Sequence, residues 1–130
     1  MLQNHVDLAV LSTLRDVMET EYPALLTIFI RDSETRIMDL NGVIQASEFS
    51  PASAAQLHQL GMMAHSFKGS SSNMGAAHLA ELCRQLEELV RGQAAVCGSR
   101  VTQLVEAIDY EFRAVREMFD IELQATLIRH

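Results

Sequence analysis

The chain has 130 residues, 48% of them hydrophobic and 5% aromatic with no tryptophan, enough apolar mass for one domain with a buried core and of a kind (Leu, Ile, Val, Ala and seven Met) that suits packed helices better than a sheet. Ten basic against seventeen acidic residues leave a net charge of −7, which argues against nucleic acid, whose binding needs clustered Lys and Arg to displace counterions, and against an anionic membrane surface. Met1 to Asp7 has neither a basic n-region nor a long apolar run, no stretch approaches the roughly 20 apolar residues of a membrane span, and a cytoplasmic protein is expected.

Five amphipathic segments follow in chain order. The first, about 7–19, sets Leu8, Leu11, Leu14, Val17 and Met18 at helical spacing behind Asp7 as its N-cap. The second, about 23–46, opens on Pro23, suited to a first helical turn, and carries Leu25, Leu26, Phe29, Ile30, Ile37, Leu40 and Ile44, with the polar stretch Arg31 to Arg36 expected in solvent. The third, about 51–73, opens on Ser50-Pro51 and buries Leu57, Leu60, Ala64, Phe67, Ser71 and Met74, spaced three and four apart. Met74-Gly75-Ala76 breaks it, with Gly75 supplying a left-handed residue. The fourth, about 76–92, carries Leu79, Leu82, Cys83, Leu86, Leu89 and Val90. The fifth, about 99–124, carries Val101, Leu104, Val105, Ile108, Phe112, Val115 and Phe119. No β-type alternation competes. Four long helices with short or moderate connections predict one all-α domain over 1–130: an antiparallel four-helix up-down bundle with an additional short N-terminal helix against one end.

Chemistry concentrates on the third helix. At about 100° per residue, with His65 at zero, Lys68 lies near −60°, Gly69 near +40° and Ser72 near −20°; Gly61 lies near −40°, Met62 near +60° and His58 near +20°. The buried seam centres roughly 130° away. His65 therefore points out of the bundle between two mid-helix glycines. Each glycine costs about 0.5–1 kcal/mol relative to alanine, a cost that makes sense where something large must approach the imidazole. Lys68 offers a positive charge to an anion at the ring, and Met62 an adaptable apolar contact. A neutral imidazole is nucleophilic near neutral pH, and in-line phosphoryl transfer to it needs positioning and charge neutralisation more than covalent assistance.

The segment His65-Ser66-Phe67-Lys68-Gly69-Ser70-Ser71-Ser72-Asn73-Met74-Gly75-Ala76 resembles the signature of the histidine phosphotransfer (HPt) domain family: a histidine, an apolar residue two places on, Lys-Gly, two small residues, then Gly-Ala after a further apolar position. Phe29-Ile30-Arg31-Asp32 and the Leu79, Leu82, Leu86-Glu87 pattern are also similar to the family, and the single domain resembles stand-alone bacterial HptB-type proteins. The resemblance implies a phosphoryl carrier, not an enzyme, in a two-component phosphorelay. His65 would be the phosphoacceptor and Lys68 the stabiliser of phosphoryl charge. Receiver domains of hybrid sensor kinases and of a response regulator would be the partners, with Mg2+ in the receiver and no cofactor on this chain. His58, Gly61, Met62, Gly69, Ser72, Asn73 and Ala76 are expected to form the docking surface of a monomer. The competing reading is a four-helix adaptor that docks receivers without being phosphorylated.

Other chemistries find less support. Seven residues separate His58 from His65, about 10.5 Å along a helix and too far for one ion. His78, Cys83 and Cys97 make no ligand set, and the two cysteines form no CxxC motif. His5 and His130 are expected to do nothing specific. Lys68-Gly69-Ser70 lacks the preceding glycine and strand of a phosphate-binding loop. Ser66 stands where a histidine-kinase dimerisation box has an acidic residue, so self-phosphorylation is not expected.

Overall fold

The computed structural model describes residues 5–46, 53–92 and 98–129, all but the Arg129 side chain. It holds α1 (Leu8–Met18), a 3-10 turn (Glu19–Glu21), α2 (Tyr22–Gln45), α3 (Ala54–Asn73), α4 (Ala77–Arg91) and α5 (Gly98–Arg129), with no strand among the described residues. α2 and α4 each pack on both α3 and α5, which closes a four-helix ring, and α3 and α4 share the most extensive interface. No helix among the described residues is long and apolar enough to cross a membrane.

Local chemistry explains most boundaries. Asp7 caps α1 by accepting from the Ala9 amide at 2.9 Å. Glu19 then turns the chain at φ 50°, which ends α1 one residue before the sequence expectation. Pro23 sits in the first turn of α2. At α3 the start differs: Ser50-Pro51 lies outside the described residues, and Ser53 is the N-cap. Its hydroxyl accepts from the Gln56 amide at 3.1 Å, while the Gln56 side chain accepts from the Ser53 amide at 2.9 Å, a reciprocal capping box.

The α3–α4 turn carries two paired bonds, Ala76 N–H to Ser71 O at 2.9 Å and Gly75 N–H to Ser72 O at 3.1 Å. These are the two bonds of a Schellman cap, and Gly75 takes its left-handed position at φ 80°. The Gly75 carbonyl then accepts from the Asp7 amide at 2.8 Å. A Cβ on Gly75 would come within 3.0 Å of both the Asp7 oxygen and Val10 Cβ. Glycine is thus needed twice, for the turn and for the close docking of the N-terminal segment.

The core comes from the expected faces: Leu26, Phe29 and Leu40; Leu60, Ala64 and Phe67; Leu79, Cys83 and Leu86; and the whole α5 stripe from Val101 to Phe119. Phe29 and Phe119 tilt together at 5.1 Å between centroids. The first helix fits its stripe poorly: Leu11 is buried, but Leu8 and Val17 are exposed. α5 runs to Arg129 rather than ending near 124, although Leu127 and Ile128 are exposed. Tyr22 Oη donates to Glu122 Oε2 at 2.7 Å, and Thr126 is buried. His5 is also engaged, contrary to expectation: its Nδ1 lies 2.6 Å from Oε2 of the buried Glu111, and Val6 beside it is buried.

Ser33 corrects the expectation of a solvated Arg31–Arg36 stretch. Ser33 and Ser71 are both fully buried, and neither hydroxyl has a hydrogen-bond partner among the described residues. A buried polar group left unpaired costs free energy that an apolar replacement does not. Ser33→Ala and Ser71→Ala are therefore expected to leave stability unchanged or raise it by up to about 1 kcal/mol in urea melts. A loss of that size in either variant would show a partner for the hydroxyl.

Candidate functional site

His65 stands at mid-α3, one face away from Ala64 and Phe67, which are both fully buried. Helix geometry turns its imidazole outward, and its side chain is 60% exposed. The ring is nonetheless held. Nδ1 lies 2.9 Å from Oε2 of Glu87 on α4. A carboxylate can only accept, so the proton of a neutral ring sits on Nδ1 and Nε2 keeps its lone pair facing solvent.

Glu87 is the centre of the arrangement, and sequence reasoning assigned it no role. It is almost wholly buried. It accepts from His65 and, through Oε1, from Lys68 Nζ at 2.8 Å; Arg91 Nη1 pairs with Oε2 at 2.6 Å. The Lys68 bond, with smaller help from His65 and Arg91, holds its carboxyl below the ordinary carboxylate range against the opposing effect of burial. One signal was available: Glu87 follows Leu86 and lies four residues after Cys83 and three before Val90, which places an acid on the apolar stripe of α4. A charge on such a stripe is found buried only when paired.

The predicted docking residues divide. Met62 is exposed at 54%. Gly69, Ser72 and Asn73 are exposed, and with Lys68 they line a shallow groove whose far wall includes Ala77, Glu81 and Arg84 of α4. A Cβ on Gly69 would meet nothing within 4 Å, so packing does not demand glycine there. His58 is exposed, and among the described residues it makes no hydrogen bond or ion pair with the His65 cluster.

Two of the residues are not surface. Gly61 is buried, and a Cβ there would meet Arg91 Nε at 3.3 Å and Val90 Cγ2 at 3.4 Å. It clears space for α4, not for a visitor. Ala76 is fully buried as part of the α3–α4 turn. Lys68, expected to offer positive charge to an anion at the ring, donates to Glu87 Oε1 at 2.8 Å.

Among the described residues no cluster of three His, Cys, Asp or Glu could hold a metal ion. Cys83 is a free core thiol whose pKa burial pushes up to about 12, which makes it a poor nucleophile; Cys97 lies outside the described residues. The site thus offers one exposed imidazole nitrogen with an unshared pair, an anion behind the ring and two cations beside it. That set can take up and release an electrophilic group.

The family model for the Hpt domain matches residues 24–118. Among solved structures, histidine-containing phosphotransfer protein B (HptB) from Pseudomonas aeruginosa PAO1 is 43% identical, covering 93% of this chain and 96% of that chain, with a TM-score of 0.78. A putative histidine-containing phosphotransfer protein from rice superposes with a TM-score of 0.77 over 98% of this chain and 88% of that one. At 16% identity that second likeness speaks to the fold alone. No curated protein sequence matches.

Proposed function

Because the chain belongs to the Hpt domain family, we propose that it is a phosphoryl carrier of a multistep two-component phosphorelay, in which Nε2 of His65 accepts a phosphoryl group from a receiver-domain aspartate of a hybrid sensor kinase and passes it to the receiver aspartate of a response regulator. The observation that carries this reading is the 2.9 Å bond from His65 Nδ1 to Glu87, which leaves the nucleophilic pair on the exposed nitrogen.

The Nε2 pair attacks phosphorus in line. The P–O bond to the aspartyl carboxyl breaks, and its electron pair leaves with the carboxylate. The ring keeps its Nδ1 proton and gains positive charge beside Glu87, which stabilises the developing imidazolium. The retained proton matters again on the way out, because a protonated ring leaves phosphorus as neutral imidazole. Onward transfer is then the same step reversed, with the second receiver's carboxylate as nucleophile. Lys68, close enough to share Glu87, neutralises equatorial oxygens. Magnesium belongs to the receiver's site in this reading, and the protein works as a monomer that carries phosphoryl groups without making them.

Incubation with a phosphorylated receiver tests this. An acid-labile, base-stable label is expected on the wild type and none on His65→Ala. An unlabelled wild type, as a docking adaptor would give, or a label that persists in His65→Ala, would sink the proposal. Lys68→Ala should slow transfer on the order of tenfold with the bundle intact; an unchanged rate removes Lys68 from the chemistry.

A further inference from the structure

In-line attack fixes a single axis between two proteins, from Nε2 through phosphorus to the departing oxygen. A receiver held only there could still turn about that axis. A contact to one side must set its rotation, and the surroundings of His65 are not symmetric. On one side stands Met62, apolar and 54% exposed. On the other, Lys68 leads into the groove toward α4.

That groove encloses about 450 Å3, and its lining residues Gly69, Ser72, Ala77 and Ala80 carry nothing larger than a hydroxymethyl group. A partner can therefore come close to both helices. The α4 side of the groove is charged, and the charges are fixed. Arg84 Nε donates to Glu81 Oε1 at 2.8 Å, Nη2 donates to Glu81 Oε2, and Nη1 donates to Glu88 Oε2. Gln85 Nε2 adds a bond to Glu81 at 3.2 Å. The bonds from Arg84 and Gln85 hold the Glu81 carboxyl down to about 2, so it stays ionised through the mildly acid range.

Pairs at these spacings stabilise a helix slightly wherever they occur. Their place beside the groove gives them a second consequence. One cation against two anions leaves this wall with one negative charge in excess. At the ring the count is reversed, because Lys68 and Arg91 share the single anion Glu87. The surface is polarised across the groove.

We propose that the wall formed by Glu81, Arg84 and Glu88 sets the rotation of the docked receiver and selects receivers that bring a lysine or arginine across the groove. This rests on the reading of the protein as a phosphoryl carrier. The receiver's phosphorylated aspartate brings negative charge to the ring, where the excess is positive. A basic side chain over the wall completes the match in one orientation. A receiver with an acid at that place is refused by like charge.

The test follows transfer to the full chain from one phosphorylated receiver domain, the fastest donor to the wild type in a panel. Each rate is taken relative to labelling of the same variant by phosphoramidate, a small donor that docks no protein. Glu81→Gln combined with Glu88→Gln is expected to slow receiver transfer on the order of fivefold at low salt, through slower association. The difference should vanish near about 0.5 M salt, where exposed charges are screened. Arg84→Gln, which leaves both carboxylates unneutralised, should speed transfer by a similar factor. A merely structural role would slow both variants or neither. An unchanged or faster rate in the double variant, or slowing in both variants, would overturn the proposal while leaving His65 as phosphoacceptor. Failure of phosphoramidate to label His65 in the wild type would overturn the carrier reading and this proposal with it.

Discussion

Gly69→Arg is expected to reduce phosphoryl transfer between this protein and a receiver by at least about 10²-fold with no loss of helicity or thermal stability. Gly69 is exposed one turn beyond His65, and a Cβ there would meet nothing within 4 Å. The fold therefore has room for a side chain at this place. Glycine inside a helix costs about 0.5–1 kcal/mol relative to alanine, so Gly69→Ala should raise stability by that much, a few degrees in melting temperature. Arginine at the same place would stand beside the imidazole and hold a receiver off by more than the ångström or so that in-line attack allows. Stability and transfer are thus expected to move in opposite directions at one residue. Transfer at the wild-type rate in Gly69→Arg would remove the close-approach argument.

Glu87→Ala is the second large effect. It deletes the acceptor of the Nδ1 proton and the common anion of Lys68 and Arg91. The imidazole is then free to carry its proton on Nε2, where it blocks attack, and two cations stand next to a ring that must become positive. A fall in transfer rate on the order of 10²-fold is expected. Glu87→Gln should fall between, because its amide oxygen still accepts from Nδ1 but carries no charge. Nitrogen-15 spectra of the imidazole check the cause directly: the wild type should show the Nδ1–H form, and Glu87→Ala a mixture. Wild-type spectra in Glu87→Ala would refute the assigned role.

The same carboxyl predicts a pH signature. Its folded-state pKa lies below the ordinary 4.5, so its contribution to stability is fully present above that value and is lost as pH falls through the depressed one. The stability difference between wild type and Glu87→Gln should therefore shrink as pH falls below 4.5 and through the depressed value. A difference that grew as pH fell through that acid range would reverse the sign and contradict the pairing.

Periodicity alone located all five helices, because a helical face is set by residues three and four apart and needs no knowledge of the neighbours. Where boundaries moved, local chemistry moved two of them, Glu19 at the end of α1 and the Ser53 capping box at the start of α3. Ser53 shows a local cue in plain sight, since Ser53-Ala54-Ala55-Gln56 has the capping-box spacing, yet the nearby Ser50-Pro51 competes for the same reading. Gly75 was legible because a left-handed turn leaves so few alternatives.

The sequence by itself determined that His65 faces outward, that Lys68 and Gly69 flank it, and that the chain is a bundle. Each follows from angles within one helix. Only the tertiary structure decided what stands behind the ring. Gly61 and Lys68 both lie on the negative side of His65 on the helical wheel, and that side abuts α4. A wheel gives direction from one axis but not the position of the next helix along it. The register in which α3 and α4 pack brings Glu87 level with His65 and Arg91 level with Gly61. That register turned a glycine read as a clearing for a partner into a bed for arginine. It also gave the exposed imidazole a buried carboxylate that fixes which nitrogen is free.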